Sequence, residues 1–532
     1  MTNHLGRKAR LLTSAIALGL IATTAQAQSG GRFVVAVDHE PQDLAAQGAY
    51  KEVNAPGLRN VIETLIDIDP QTGAYRGVLA TSWDRVDDST VRLTLREGVT
   101  FHDGTAMDAE AVATAITFVW APSNSFTIQE YAGPGTITAR AIGDYEVEVT
   151  SSEPDPMLEF RLTLNGISSA RQIEDSPAAH FDTPIGTGPY RFVTWERGQY
   201  WEAEANPDWW GLAADDVYGV SAPMFEEVRF VFRSETSART SMVRAGEAHL
   251  AINPSPEDCQ AAANNAGYDC ITSPSDAYLY GRLDQSLHAD ARLQDMRVRQ
   301  AIFHSIDYEG LADLIGMASV PQGQLGTPDM LGFVDTLEQY AYDPDLSRSL
   351  IAEARADGVD VDGLNVEVVG RTGTPRIGSV TEIIGFFLND VGINATVNVQ
   401  SADLFNPRVR ISGYAEEAPR AMMQVHMKQN ASGEFGVNLL GNYACPDIDD
   451  PAGASRSSVY CNPEFDAQLF AALALSGADR DAALQELVTF LHGEYAIIPL
   501  AILDRGYLID ADYDLVTGVD HRVQLVNLSR SE

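Results

Sequence analysis

The chain has 532 residues, of which 45% are hydrophobic and 21% are charged, a composition typical of a globular protein. Its formal net charge of −39 argues against nucleic acid as a partner, because phosphate binding needs clustered Lys and Arg side chains. The length exceeds that of one ordinary hydrophobic core and predicts two or three domains.

The N-terminus has the three parts of a secretory signal peptide. Its basic start is Arg7, Lys8 and Arg10, and an apolar stretch over residues 11–22 leads to an Ala-Gln-Ala cleavage triplet. The stretch is shorter than the roughly 20 residues of a membrane span, which favours cleavage over a membrane anchor. We expect a signal peptide at 1–27 and, since no Cys stands at that site, a free periplasmic protein without membrane insertion after cleavage.

The four cysteines predict two disulfides, because the chain is destined for an oxidising compartment. Four thiols allow three pairings, and the spacing favours Cys259 with Cys270 and Cys445 with Cys461. Neither pair has C-x-x-C spacing or a His nearby in a ligand pattern. Structural bridges are therefore favoured over a metal centre, and we expect no metal site.

The first predicted element after the leader is a strand over the apolar run Arg32–Val37. A helix is predicted from about Pro56 to Leu65. The run Val91–Leu95 alternates with the period of two of a half-buried strand. Asp108 is predicted to cap a helix that continues to Trp120. This succession is typical of a mixed α+β unit.

The most informative segment runs from Pro184 to Gly211. A Gly/Pro turn leads into a strand, Gly198 marks a hairpin turn, and a second strand ends in an Asn-Pro exit. Further along, apolar positions between Asp295 and Asp307 follow a helical stripe with arginines between them. A salt-bridged helix face is the favoured role of those arginines.

The segment Pro184–Gly211 resembles, nearly residue for residue, the signature of the extracellular solute-binding proteins that serve peptide and nickel ABC importers. Other blocks are similar to the patterns of the same family, namely Val78–Trp83, Leu93–Thr105, Asp108–Val112, Asp295–Asp307, Asp343–Ala354, Glu382–Val399 and Leu484–Leu500. The blocks keep the family's order from about residue 33 to residue 500, so the resemblance covers most of the mature chain.

The resemblance implies an α/β, two-lobed periplasmic-binding-protein fold with mixed sheets, crossing strands as a hinge and an extra α+β sub-domain inserted in lobe I. Transferred to this chain, lobe I comprises 29–60, 184–275 and 495–532, the inserted sub-domain comprises 61–183, and lobe II comprises 276–494.

The implied function is capture of a short peptide or a related small polar organic solute by hinge closure, followed by delivery to the membrane permease of an ABC importer. We expect a monomer that needs no cofactor and is not an enzyme. Nucleophile, phosphate-loop and zinc-protease motifs were not found. The pair His102-Asp103 resembles a general base, but an architectural role is favoured, with the imidazole bound to neighbouring backbone.

The chain departs from the family pattern in the lobe II segment that binds the ligand. Peptide binders carry an acidic residue in lobe II, in a Trp-rich segment ending in Asp-Pro, that receives the ligand's α-ammonium. Here His426 stands at the position of the Trp, and Gln429 or Asn430 at the acidic position. Glu434 is a possible substitute for the ammonium partner, whereas Lys428 favours an anionic group, and both readings stay open.

The remaining candidate ligand-binding residues are chosen by their expected positions in the family fold. His39, Glu40 and Asp43 follow the first strand at the expected cleft mouth; Tyr131 lies in the inserted sub-domain; Tyr278, Tyr280 and Arg282 follow the crossing into lobe II; Arg371 and Arg376 flank a Gly-rich loop. Aromatic walls with a few charges suit a polar organic ligand. For the tyrosines, core or hinge packing is an equal alternative. The two loop arginines are candidates for clamping a carboxylate, with a surface position as the favoured alternative.

Two alternative functions are retained. One keeps the transport role for a non-peptide solute, such as a sugar-derived, opine-like or metal-chelate compound. The other is a periplasmic sensor or chaperone that uses the same cleft.

Overall fold

The computed structural model describes residues 31–46, 56–69, 74–121, 135–213, 222–286, 289–328, 330–372, 374, 376–409, 420–430, 432–445, 460–517 and 522–531. The predicted signal peptide and Tyr131 lie outside the described residues.

The described strands are β1 Arg32–Val37, β2 Ile66–Ile68, β3 Tyr75–Gly77, β4 Ala80–Asp87, β5 Thr90–Leu95, β6 Ile137–Gly143, β7 Glu146–Ser151, β8 Tyr190–Glu196, β9 Tyr200–Ala205, β10 Glu227–Phe232, β11 Leu250–Ile252, β12 Tyr268–Leu283, β13 Ala318–Ser319, β14 Asn365–Arg371, β15 Asn394–Gln400, β16 Met422–Gln429, β17 Ile498–Asp510, β18 Tyr513–Leu515 and β19 Leu528–Arg530.

The described helices are α1 Ala109–Trp120, α2 Leu158–Leu164, α3 Ala170–Asp175, α4 Thr236–Arg244, α5 Pro256–Ala262, α6 Met296–His304, α7 Tyr308–Ile315, α8 Pro344–Ala356, α9 Ile377–Asp390, α10 Ala402–Val409, α11 Phe435–Tyr443, α12 Pro463–Leu473 and α13 Gly477–Gly493.

Two long strands, β12 and β17, connect the two lobes. The main sheet runs in the order β15-β14-β16-β12-β17-β11-β1-β10-β9-β8, with β13 added beside β17. Strands β1 and β8 to β11 form the sheet of the first lobe, and β14 to β16 form that of the second. Because β12 and β17 pair antiparallel in both halves, they are the crossing strands of the two-lobed fold.

The pairing of β12 with β17 is interrupted at the crossing. Tyr268 to Ser273 pair with one half of β17, and Ala277 to Gly281 pair with the other, with a register shift between Ser273 and Ala277. A bulge releases ladder hydrogen bonds and increases local twist. The shift therefore interrupts the ladder at the lobe junction, and a second shift lies between Leu279 and Tyr280.

A four-stranded antiparallel sheet in the order β4-β5-β7-β6 forms the inserted α+β sub-domain with helices α1 to α3. The two lobes and the sub-domain have separate apolar clusters of fully buried side chains. The domain boundaries given above stay a prediction.

Most predicted elements agree with the structure. Strands β1 and β5, helix α1 with its cap Asp108, and the hairpin β8–β9 with Gly198 in the left-handed region are where the pattern indicated. The helix predicted for 56–65 is wrong, because the structure has only a 3₁₀ turn at Leu58–Asn60. Gly57 precedes it with φ 76°, a conformation that does not continue a helix.

The signature segment is fixed to the rest of the molecule by its turn. His102 Nε2 donates to Gly188 O at 3.0 Å, and Gly186 N donates to Nδ1 at 3.4 Å, so the ring is bound by backbone. Burial lowers the pKa of His102 to about 4. The neutral ring therefore joins two of the family-like blocks, in agreement with its predicted architectural role.

Both predicted disulfides, Cys259–Cys270 and Cys445–Cys461, are present. The first ties α5 to the start of crossing strand β12. Within the described part of the chain, no helix combines the length and apolar character that a membrane crossing requires.

Replacement of Gly186 by Ala is expected to destabilise the protein. A Cβ at Gly186 would lie 2.2 Å from Val61 O, so the backbone must move, at a cost of about 1–3 kcal/mol. Gly378→Ala in α9 is the matched control, because a Cβ there meets nothing within 4 Å and should stabilise by about 0.4–1 kcal/mol. Urea unfolding measures both, and equal effects would contradict the packing assigned to the turn.

The buried carboxyl group of Glu63, which contacts the same turn through Thr187, makes the stability depend on pH. Glu63 is buried and accepts hydrogen bonds from Trp209 Nε1, Trp210 Nε1 and Thr187 Oγ1 at 3.2, 2.8 and 2.7 Å. Burial, opposed by these hydrogen bonds, raises the pKa of Glu63 to about 7.

Because the folded chain keeps this proton where the unfolded chain releases it, the unfolding free energy falls as the pH rises from about 4.3 to 7. The contribution is at most about 1.4 kcal/mol for each pH unit. In Glu63→Gln this part of the pH dependence should be missing. Urea unfolding across that range, with Glu382→Gln on an exposed position of α9 as control, measures it; unchanged curves for Glu63→Gln would refute the assignment.

Candidate ligand-binding site

One face of the second lobe's sheet carries several predicted ligand residues. Alternate side chains of a strand share a face, so Tyr278, Tyr280 and Arg282 lie on one side of β12. Their register partners on β16 are Lys428, His426 and Gln424, respectively. Arg371 of β14 joins them, since it follows by two residues Val369, the partner of Gln424. We call this group, together with Asn442 and Tyr443 of α11, the lobe II polar face.

Asn442 Oδ1 lies close to three polar side chains of the face. Tyr280 Oη lies 3.4 Å from it, Arg282 Nη1 3.3 Å and Lys428 Nζ 3.3 Å. The amide nitrogen of Asn442 donates to Asn438 O at 2.8 Å, which fixes the side chain on α11. Arg282 and Lys428 donate to this oxygen, whereas the single hydroxyl proton of Tyr280 goes to His426 Nε2.

Arg282 is fully buried beneath this network. Its Nη2 donates to Gln424 Oε1 at 2.8 Å and lies 3.3 Å from His426 Nε2. Asp284, two residues further along the chain, accepts from Arg420 Nε at 2.8 Å and from Ser286 Oγ at 2.7 Å.

His426 is neutral in this environment. Burial, followed by the positive charges of Arg282, Arg371 and Lys428, holds its pKa well below the usual range. Nδ1 lies 3.1 Å from Met427 O, a backbone acceptor, which assigns the proton to Nδ1. Nε2 then accepts from Tyr280 Oη at 3.0 Å.

Tyr278 and Gln429 extend this row toward the crossing. Tyr278 is buried among apolar side chains, and its hydroxyl lies 3.3 Å from Met330 Sδ, so it packs in the core of the second lobe. Gln429 is half-buried and pairs with Ala277 at the start of the second-lobe part of β12.

Glu434 has a cationic partner within its own lobe. Arg480 Nε and Nη2 donate to its two carboxylate oxygens, each at 2.7 Å, and both side chains are almost fully buried. The pair lines a cavity of about 190 Å³ whose other wall includes Tyr75 and Met157 of the sub-domain. Val437 of α11 also packs on the sub-domain core, so the second lobe and the sub-domain are in contact.

The first-lobe candidates form local contacts. His39 Nδ1 lies 2.5 Å from Asp38 Oδ1, and the other oxygen of Asp38 accepts from Asn253 at 2.7 Å. Asp43 Oδ1 accepts from Ala45 N at 3.1 Å and so closes a turn. Oε1 of Glu40, the third candidate, lies 4.0 Å from Nη1 of Arg197.

The two loop arginines have different environments. Arg371 is half-buried on the polar face, whereas Arg376 forms an ion pair with Glu257 of α5, on the first-lobe side. The structure therefore brings together Tyr280, Arg282, Arg371, His426 and Lys428. The contacts described above for Arg376 and for the three first-lobe candidates lie elsewhere in the molecule.

Comparison with known proteins identifies the family. Residues 74–459 match the model of the bacterial extracellular solute-binding proteins, family 5, middle part. The chain belongs to this family.

Relatives of the family align with nearly the whole chain. The glutathione-binding protein GsiB of Pectobacterium atrosepticum is 24% identical over 453 residues, 83% of this chain and 82% of the relative. Among solved structures, the substrate-binding protein CtaP of Listeria monocytogenes has a TM-score of 0.80 at 18% identity, covering 95% of this chain and 100% of that one. NikA of Brucella suis, in complex with Fe(III)-EDTA, has a TM-score of 0.78 at 20% identity, covering 94% and 100%.

Sequence reasoning missed Gln424, Asn442 and Tyr443 as members of the polar face of this family 5 protein. Asn438 and Asn442, four residues apart in an otherwise apolar helix, were the available signal, because i,i+4 residues share a helix face. Gln424 could also have been identified, because it is a polar residue in the mostly apolar run Met422–Met427.

Loss of one partner from the buried Glu434–Arg480 pair should be strongly destabilising. Arg480→Ala leaves the carboxylate of Glu434 buried without its cation and should lower the unfolding free energy by about 3–5 kcal/mol. Arg355→Ala removes an exposed partner of Asp362 and should cost at most about 1 kcal/mol. Urea unfolding of both variants tests this; a similar small loss in Arg480→Ala would contradict the arrangement.

Proposed function

We propose that this chain is the periplasmic substrate-binding component of an ABC importer. It captures a short peptide or a related small polar organic solute between its lobes and passes the solute unchanged to a membrane permease. Residues 1–27 act as a cleavable signal peptide, and the mature protein works as a monomer.

The observation that carries this proposal is the pair of crossing strands with a register shift at the lobe junction. A ligand that contacts both lobes favours the closed arrangement by its differential contacts. Hinge motion needs a few residues at an element junction that absorb changes of backbone angle, and Ser273 to Ala277 supply them.

Family membership and the relatives support the solute class. GsiB is named for glutathione, and the NikA structure holds Fe(III)-EDTA. Glutathione and EDTA are both small polar molecules with several carboxylates. Two disulfides suit an oxidising compartment such as the periplasm.

A non-peptide solute is the second candidate, and the environment of Glu434 favours it. The substitute proposed for an ammonium partner already has Arg480 on both carboxylate oxygens. Gln429 and Asn430 at the acidic position carry no charge to receive an ammonium group.

Native mass spectrometry of the purified protein tests the transport function. We expect a bound small molecule that is lost on denaturation, and a smaller radius of gyration by X-ray scattering when it is restored. A solute at 100 times its dissociation constant should add about 2.7 kcal/mol to the unfolding free energy. The proposal fails if no compound is retained and no fraction of a cell extract stabilises the protein.

A further inference from the structure

We propose that Glu257 and Arg376 form a latch between the two lobes that holds them in the arrangement of this structure. Glu257 belongs to α5 of the first lobe, and Arg376 stands at the start of α9 in the second lobe. The latch sets lobe geometry without contact with a solute, so it goes beyond the proposed transport function and affects transport only through that function. It gives Arg376 a different role from the ligand contact that the sequence predicted.

The two residues of the latch lie away from the strands that connect the lobes. The guanidinium of Arg376 forms an ion pair with the carboxylate of Glu257, which lies 119 residues earlier in the chain. Helix α5 follows strand β11 and helix α9 follows strand β14, so neither residue is part of β12 or β17. A rotation of one lobe against the other therefore changes the distance between the two charges. The pair stabilises only those arrangements in which this distance is short.

Glu257 is held in a fixed position on the first lobe. It lies in the first turn of α5, which begins with a capping box: Ser255 Oγ accepts from Asp258 N at 3.1 Å, and Ser255 N donates to Asp258 Oδ2 at 3.2 Å. The disulfide Cys259–Cys270 ties the same helix to β12. Because the helix is fixed in this way, the carboxylate of Glu257 is presented to the second lobe at a defined place.

Apolar packing beside the ion pair brings the same parts of the two lobes together. The end of α7 in the second lobe lies against the start of α5, because a Cβ on Gly316 would be 2.8 Å from Pro256 Cγ. Next to it, a Cβ on Gly506 of β17 would lie 2.5 Å from Met317 Cε and 3.0 Å from Pro254 Cγ. The two lobes therefore touch beside the crossing strands, and the ion pair extends this packed contact.

Backbone strain is concentrated at the same contact. Among the described residues, four that are not glycine have a positive φ, and three of them belong to it: Asn253, Met317 and Arg376, at 53°, 48° and 49°. Such residues rarely adopt this conformation, and it persists where the surroundings hold it. Asn253 N donates to Gly506 O at 3.0 Å, and Asp504 N donates to Met317 O at 2.9 Å, so β17 holds two of them. Clustered strain of this kind is typical of switch regions.

The direction of the effect follows from a second contact between the lobes. In the arrangement that contains the latch, Val437 of the second lobe also packs on the sub-domain core, and Tyr75 and Glu434 line one shared cavity. Loss of the ion pair disfavours this arrangement relative to those in which the sub-domain and the second lobe separate. The distance between the sub-domain and the second lobe is therefore the quantity to measure.

The experiment measures that distance in the purified protein, freed of copurified solute by unfolding and refolding. Nitroxide labels at Glu153→Cys of the sub-domain and Glu486→Cys of α13, both exposed positions, are followed by pulsed electron paramagnetic resonance at low ionic strength. The four native cysteines are paired and take up no label. Glu257→Arg and Arg376→Glu should each raise the ratio of separated to closed molecules by about 2-fold to 5-fold, the range expected of an exposed ion pair.

Three controls isolate the pair from its individual residues. The double variant Glu257→Arg/Arg376→Glu should bring the ratio back toward its original value, because it forms the pair again with the charges exchanged. Salt at about 1 M should remove the effect of the single variants, since the screening length falls to about 3 Å. Arg355→Glu, which places like charges at the exposed pair with Asp362 inside the second lobe, should leave the ratio unchanged.

Unchanged distances in both single variants, or a shift toward shorter distances, would overturn the inference. So would a shift that the double variant does not reverse or that persists at high salt, since either result would assign the effect to one residue and not to the pair. None of these outcomes depends on a bound solute. The transport function is decided separately by the copurification experiment, so the latch and that function can fail independently.

Discussion

The antiparallel pairing of β12 with β17 is the constraint on which the rest of the structure depends. These strands contribute to both halves of the main sheet, so each lobe completes its own sheet only by sharing them. Removal of either strand would leave unpaired edges on both lobes. The ladder between them is interrupted by register shifts between Ser273 and Ala277 and between Leu279 and Tyr280.

The same strand that joins the lobes also carries the polar face. Beyond the register shift, alternate residues of β12 point toward α11, and their partners on β16 add a second row. The position of this face relative to the hinge is therefore set by backbone pairing rather than by loops. A cluster built on paired strands is held more rigidly than one built on surface loops.

Buried polar groups occur in this molecule in two different arrangements. Glu63 and the pair Glu434–Arg480 have partners on their carboxyl and guanidinium groups, so their hydrogen bonds are internal and structural. On the polar face, Arg282 and Lys428 share Asn442 Oδ1, and Gln424 Nε2 and Tyr443 Oη are buried without a hydrogen-bond partner among the described residues. These two buried donors distinguish the polar face from the internally satisfied groups.

The resemblance carried by the sequence indicated the family and implied the two lobes with crossing strands, and the cysteine spacing favoured the observed disulfide pairing. Several elements were predicted from the chain pattern alone. These depend on local signals: the Gly/Pro turn before Tyr190, the alternation in Val91–Leu95 and the cap at Asp108 each act within a few residues. The pattern misjudged 56–65, where the left-handed Gly57 is chosen by tertiary packing. Only the tertiary structure decided which charges neutralise one another, because the partners of Glu434 and Arg376 lie 46 and 119 residues away. For the same reason Asn442 became visible as the shared acceptor only after α11 was packed on the sheet, since distance in space and not spacing in the chain selects such contacts.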